Sequence, residues 1–305
     1  YALATPARLQ AGAALLALTT AVIATAATLR MLGGPEYLTF ADTYARDGAA
    51  LWAKLIVLVG TAGVVGLSVP WFRRDPRQGE YYALLLLSAL GAVLLAGATD
   101  LKQLAMMLSS ATGFVLAAYH RRSSPASEAA IKYYLIGAFT SASMLIGVAY
   151  LFGLAGSTTL PGLARGLPPG GLAVATGAAL VVLAVTSKLG AMPAHAWVPD
   201  VAQGAPAPAA AFVTSIPKVG GLVFLARLAL ALPPDAVEWR PLVALLAAAT
   251  MTLGNLACLW QDDVRRLLGW SAVSQIGYGL MAVVALERSP LAVPSLLFFL
   301  LAYVV

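Results

Sequence analysis

The chain has 305 residues, of which 60% are hydrophobic and only 10% charged, with a formal net charge of +6. An ordinary soluble domain carries about 25% charged residues, so this is the composition of a membrane protein. Most of the surplus positive charge is arginine in short loops, where it orients helices in a bilayer, and a nucleic-acid partner is excluded. Cys258 is the only cysteine, which leaves no disulfide framework, no thiolate metal site and no iron–sulfur cluster in this chain.

Taken in order, the apolar runs predict about ten spans, over 9–31, 48–71, 81–98, 100–119, 128–153, 171–195, 204–232, 240–260, 263–286 and 290–305. Many of these runs approach or reach the roughly 20 residues needed to cross a 30 Å hydrocarbon layer. The fold class is therefore an all-α polytopic membrane protein, read as one transmembrane domain over 1–305. Alternating the spans collects Arg73, Arg74, Arg77, Arg121, Arg122, Arg265 and Arg266 on the face of the N-terminus. Glu36, Asp42, Asp47, Asp235, Glu238 and Glu287 collect on the other. The positive-inside rule assigns the arginine face to the cytoplasm or its equivalent. The first residue is Tyr1, and the last run, SLLFFLLAYVV, ends while still hydrophobic; a piece of a longer protein is expected.

Nearly all thirteen carboxylates fall in loops or at predicted helix ends, and of the five lysines only Lys188 and Lys218 fall well within spans. A lysine at mid-bilayer costs about 2.5–3.5 kcal/mol on insertion scales, and such residues usually face the bundle interior and mark an ion path. Snorkelling of the ammonium along its four-carbon stem is the alternative for each. Between them the sequence reads SKLGAMPAHAWVPDVAQGAPAPAAAFVTSIPK, residues 187 to 218. Pro193, Pro199, Pro206, Pro208 and Pro217 each remove a backbone donor, and a helix broken in the bilayer leaves carbonyls that lipid cannot satisfy. Broken helices near the membrane centre are a recurrent device of ion transporters; kinks packed against neighbouring helices are the other reading.

That run resembles the signature of the antiporter-like membrane subunits of respiratory complex I, the NADH-quinone oxidoreductase, and most closely the branch called subunit N or subunit 2. The resemblance lies in a lysine followed by proline, histidine and tryptophan, then a PDV-x-QG-[AS]-P-x-P turn and a second lysine. EAAIKY, from Glu128 to Tyr133, resembles a further helix start of the family. Gly254-Asn255-Leu256 and RRLLGWSAVSQIGY resemble two more of its segments, so that the matches cover most of 80 to 285. The resemblance implies an antiporter-like fold with inverted repeats and broken helices, the first repeat over 81–232 and the start of a second over 240–305. It implies proton translocation through Lys188 and Lys218. His195 and Gln275 are possible relay residues, with a structural role open for both. Trp197 joins the five prolines as part of the helix break. It also implies an energy-transducing membrane, the inner or plasma membrane of a bacterium or archaeon. The partners are the lipid bilayer and the other membrane subunits, and no cofactor is expected in this chain. Flavin, iron–sulfur clusters and quinone belong to partner subunits.

The chain departs from the family pattern in one telling place. The helix before EAAIKY normally carries a glutamate coupled to the first lysine, whereas here it reads LKQLAMMLSSATGFVLAAY, with Met107 or Ser109 at the acidic position. Asp100 lies too near the membrane edge to replace it. Burial disfavours the charged form of an amine and a nearby carboxylate favours it, so a chain without that acid depends on hydration or on a neighbour to hold the proton. A multi-subunit cation/proton antiporter and a non-pumping structural subunit are the alternative functions.

Overall fold

The structure is a computed structural model that describes residues 10, 12–73, 75–102, 108–120 and 123–305. Arg74, Met107, Arg121 and Arg122 lie outside the described residues. Eight helices among those described are long and apolar enough to cross a membrane: α1 (Gly12–Met31), α2 (Gly48–Phe72), α3 (Gln78–Ala96), α5 (Ser124–Ala155), α7 (Leu172–Leu189), α9 (Ala207–Ala231), α10 (Arg240–Cys258) and α11 (Val264–Val284). Four shorter helices complete the set: α4 (Leu108–Ala117), α6 (Leu160–Gly166), α8 (Trp197–Gly204) and α12 (Ala292–Val304).

Side-chain caps fix four of the helix starts. The side chains of Asp47, Ser123, Thr159 and Asp263 accept from the backbone N–H groups of Ala50, Ala126, Gly162 and Arg266, and so cap α2, α5, α6 and α11. The span expected over 171–195 is shorter than its apolar pattern. α7 stops at Leu189 because Gly190 turns into the left-handed region at φ 90°. There its N–H and that of Ala191 return to the carbonyls of Ser187 and Thr186, the usual way a helix closes its last turn. The polar stretch that follows holds a cis Met192–Pro193 bond and then the separate short helix α8. One element of the all-helical reading also changes. Tyr37–Thr39 (β1) and Tyr44–Arg46 (β2) pair as an antiparallel hairpin in the loop between α1 and α2.

The prolines divide into two groups. Pro199 falls in the first turn of α8, Pro206 caps α9 and Pro208 lies in its first turn, positions where a missing N–H costs nothing. Pro217 alone lies inside the long helix α9, and Pro193 sits in the break after α7.

α9 is the central helix, buried along most of its length and packed on α2, α3, α8 and α11. Near its end Arg227 grips Asp47 with two hydrogen bonds of 2.7 and 2.6 Å, while its Nε donates to the Ala96 carbonyl at 3.0 Å. Burial alone would raise the Asp47 carboxyl, but Arg227 and the first backbone N–H groups of α2 outweigh it and hold the group below its usual range. This clamp ties the start of α2, the end of α3 and the end of α9 on the face rich in carboxylates. On the arginine face, Gln10 accepts from the Gly79 N–H and the Tyr119 hydroxyl donates to the Arg77 carbonyl. Gln10, just before α1, and the start of α3 therefore share that face, in the alternation the sequence predicts.

Candidate functional site

Lys188 stands in the last turn of α7. Its ammonium donates to Ser141 Oγ at 2.8 Å, and Ser141 in turn donates to the Gly137 carbonyl one turn earlier on α5 at 2.7 Å. The break that follows is bridged rather than open. The Met192 N–H donates to Thr250 Oγ1 of α10 at 3.0 Å. Trp197 donates from Nε1 to the Ser187 carbonyl at 3.3 Å and stacks on Tyr133 with ring centres 4.2 Å apart. A tryptophan thus spans the gap and gives the Ser187 carbonyl a second donor beside the Gly190 N–H.

Lys218 follows Pro217 near the middle of α9 and is 2% exposed. Its ammonium donates to the Ala272 carbonyl of α11 at 2.8 Å and reaches the Tyr303 hydroxyl of α12 at 3.4 Å. The structure does not bring the two lysines together: Lys188 points at α5 and Lys218 at α11 and α12, and no hydrogen bond among the described residues joins them. Ion pairs among the described residues use Asp47, Asp75, Asp100, Glu128, Asp200 and Glu287, and none of these reaches either lysine. Asp100 is buried near the end of α3, where it pairs with Lys102 at 3.7 Å.

His195 is half-buried in the break, its Nδ1 3.2 Å from the Pro193 carbonyl and its ring centre 5.4 Å from that of Trp270. It touches neither lysine. Gln275 is half-buried on α11, less than a turn beyond Ala272, and makes no hydrogen bond among the described residues.

A second cluster went unnoticed in the sequence. Lys132 pairs with Glu128 at 2.6 Å and with Asp200 at 3.0 Å, Asp200 pairs with Arg266 at 2.7 Å, and Arg266 also donates to Gln203 at 3.1 Å. Arg265 donates to the Ala205 carbonyl. EAAIKY, PDVAQG and RRLLGW therefore meet at one point on the arginine face. Two glycines allow the approach. A Cβ at Gly204 would lie 2.5 Å from the Pro125 carbonyl oxygen, and one at Gly269 would lie 2.6 Å from Pro199 Cα. The signal available in the sequence was Asp200 itself, a carboxylate with no cation three or four residues away on its own segment.

Residues 98–305 match the family described as NADH:quinone oxidoreductase/Mrp antiporter, TM. The chain belongs to this family. Among curated relatives, this antiporter-like chain is 43% identical over 299 residues to NADH-quinone oxidoreductase subunit N of Mycobacterium sp. (strain JLS), covering 93% of the chain and 62% of the relative. It is 44% identical over 294 residues to subunit N 1 of Streptomyces griseus, covering 95% of the chain and 61% of the relative. The chain thus spans about three fifths of the length of these relatives. A chain of respiratory complex I from Thermus thermophilus superposes with a TM-score of 0.83 at 32% identity, over 99% of this chain and 64% of that one. A chain of the Mrp complex from Dietzia sp. gives 0.86 at 20% identity, over 99% and 58%. At that identity the likeness is one of fold alone, so fold does not separate a redox-driven complex from a cation antiporter.

Proposed function

We propose that this chain is the greater part of subunit N of a proton-translocating NADH:quinone oxidoreductase in a bacterial plasma membrane, and that Lys188 and Lys218 carry its protons. The observation that carries the reading is the company these amines keep. Each is drawn into the helix bundle and, among the described residues, hydrogen-bonds only to neutral oxygens, Ser141 Oγ for one and the Ala272 carbonyl and Tyr303 hydroxyl for the other. An intramembrane amine without a fixed countercharge can give up its proton at modest cost, whereas a paired one is held charged. The identity to subunit N sequences favours this assignment over a cation antiporter.

On this reading the first antiporter-like repeat runs over 81–232 and a second begins at 240. Electron transfer through flavin and iron–sulfur clusters to quinone takes place in partner subunits, and hydration along the membrane arm couples it to the lysines. Gln275, with its amide unengaged, is a candidate to hold a relay water near Lys218. His195 is better used as a strut of the break, because its bonded nitrogen faces the Pro193 carbonyl. The test is Lys188→Met in the whole complex reconstituted in vesicles. The variant keeps the apolar stem and loses the proton site, so the complex assembles and the proton-to-electron ratio falls. An unchanged ratio supports the second reading, a non-pumping structural subunit.

A further inference from the structure

We propose that the Tyr303 hydroxyl is a positioning group for Lys218, turning its hydrogen bond with the charge of the amine so that the lone pair exposed by proton loss also has a partner. The inference rests on the reading of Lys218 as a proton carrier. It starts from Pro217. This residue has no N–H, so the Val213 carbonyl loses its helical donor and the turn of α9 before Lys218 is loosened. Tyr303 enters at this turn from α12 and donates to the Thr214 carbonyl at 3.2 Å. In a regular helix that carbonyl serves the N–H of Lys218 itself. The Tyr303 hydroxyl oxygen also lies 3.4 Å from the ammonium.

The two partners of the amine differ in kind. A carbonyl such as that of Ala272 can only accept, so it serves an N–H of the amine in either state but never its lone pair. A hydroxyl both donates and accepts. While Lys218 is charged, Tyr303 accepts from Nζ and donates to the Thr214 carbonyl. Once the amine is neutral its lone pair becomes an acceptor, and the hydroxyl can turn to donate to it. Tyr303 keeps its own proton throughout, and no bond other than these hydrogen bonds changes.

Packing holds the arrangement in register. Where a Cβ would stand on Gly60 of α2, the side chains of Val304 and Ile216 come together. The helices carrying Tyr303 and Lys218 therefore close on each other across a residue with no side chain.

The test uses the whole complex in vesicles and compares Tyr303→Phe, Lys218→Met and the double variant by proton-to-electron ratio at equal assembly. Tyr303→Phe keeps the ring, loses the hydroxyl and lowers the ratio part of the way to that of Lys218→Met. In the Lys218→Met background it changes nothing further, because the two groups act as one unit. Equal losses in both backgrounds would make Tyr303 a packing residue and overturn the inference. So would a normal ratio in Tyr303→Phe beside a reduced one in Lys218→Met, which leaves the wider reading standing. A normal ratio in Lys218→Met overturns that reading and the inference with it. Should Tyr303→Phe fail to assemble, fluorotyrosine at position 303 keeps the ring and hydroxyl but weakens the oxygen as an acceptor. A lowered ratio supports the inference, and an unchanged one overturns it.

Discussion

The arginine face and the membrane interior handle charge in opposite ways. At the face, Glu128, Lys132, Asp200 and Arg266 form a closed chain in which every charge meets its opposite within 3.0 Å. Inside, Lys188 and Lys218 meet hydroxyl and carbonyl oxygens and no carboxylate among the described residues. A paired charge is held in one state and serves as a fastening. An amine among neutral oxygens has little to hold its proton, and is suited to pass it on. Three of the segments that carry the family resemblance, EAAIKY, PDVAQG and RRLLGW, meet at the face, so much of the recognisable sequence belongs to the fastening rather than to the proposed path.

The largest test of that division removes its hinge. Asp200 is mostly buried and joins two cations. Asp200→Ala leaves Arg266 without an ionic partner and Lys132 with Glu128 alone, and is expected to cost about 1–2 kcal/mol, read as a lower melting temperature of the purified complex and less assembled material. The fraction that assembles keeps its proton-to-electron ratio. A normal yield with a reduced ratio would move Asp200 from fastening to path.

A smaller effect is expected at the break. Trp197→Phe keeps an aromatic ring against Tyr133 and loses only the bond to the Ser187 carbonyl. The expected cost is about 0.5–1.5 kcal/mol, visible in the same melting measurement, with the ratio unchanged. A ratio that falls while the melting temperature stays fixed would mean that the bridge over the break shapes the path near Lys188 rather than merely fastening it.

The lysines were legible in the sequence because a charge within an apolar run is expensive wherever it occurs. The break after α7 was legible from Pro193, and the alternation of faces from the loop arginines. The partners were not. Ser141 is one of several hydroxyls on α5, where Thr140 and Ser143 also bond back to their own helix, and nothing in its spacing singles it out. Tyr303 belongs to an apolar run whose pairing with α9 is set by packing 85 residues away in sequence. The end of α7 was placed too late because apolar residues continue past Leu189, while the left-handed turn at Gly190 is decided by backbone geometry. Pro199, Pro206 and Pro208 read as breaks in the sequence but stand in first turns or caps, a distinction that depends on where the neighbouring helices begin.

The central claim is that the interior lysines work because no carboxylate fixes their charge. Ser141→Asp tests it most directly, since it sets a carboxylate where a hydroxyl now stands 2.8 Å from the Lys188 ammonium and gives the interior the same pairing as the face. The measurement is the proton-to-electron ratio of the reconstituted complex, beside its melting temperature. The account predicts an assembled complex of equal or greater stability whose ratio is clearly reduced. A ratio equal to or above that of the unaltered complex would contradict it.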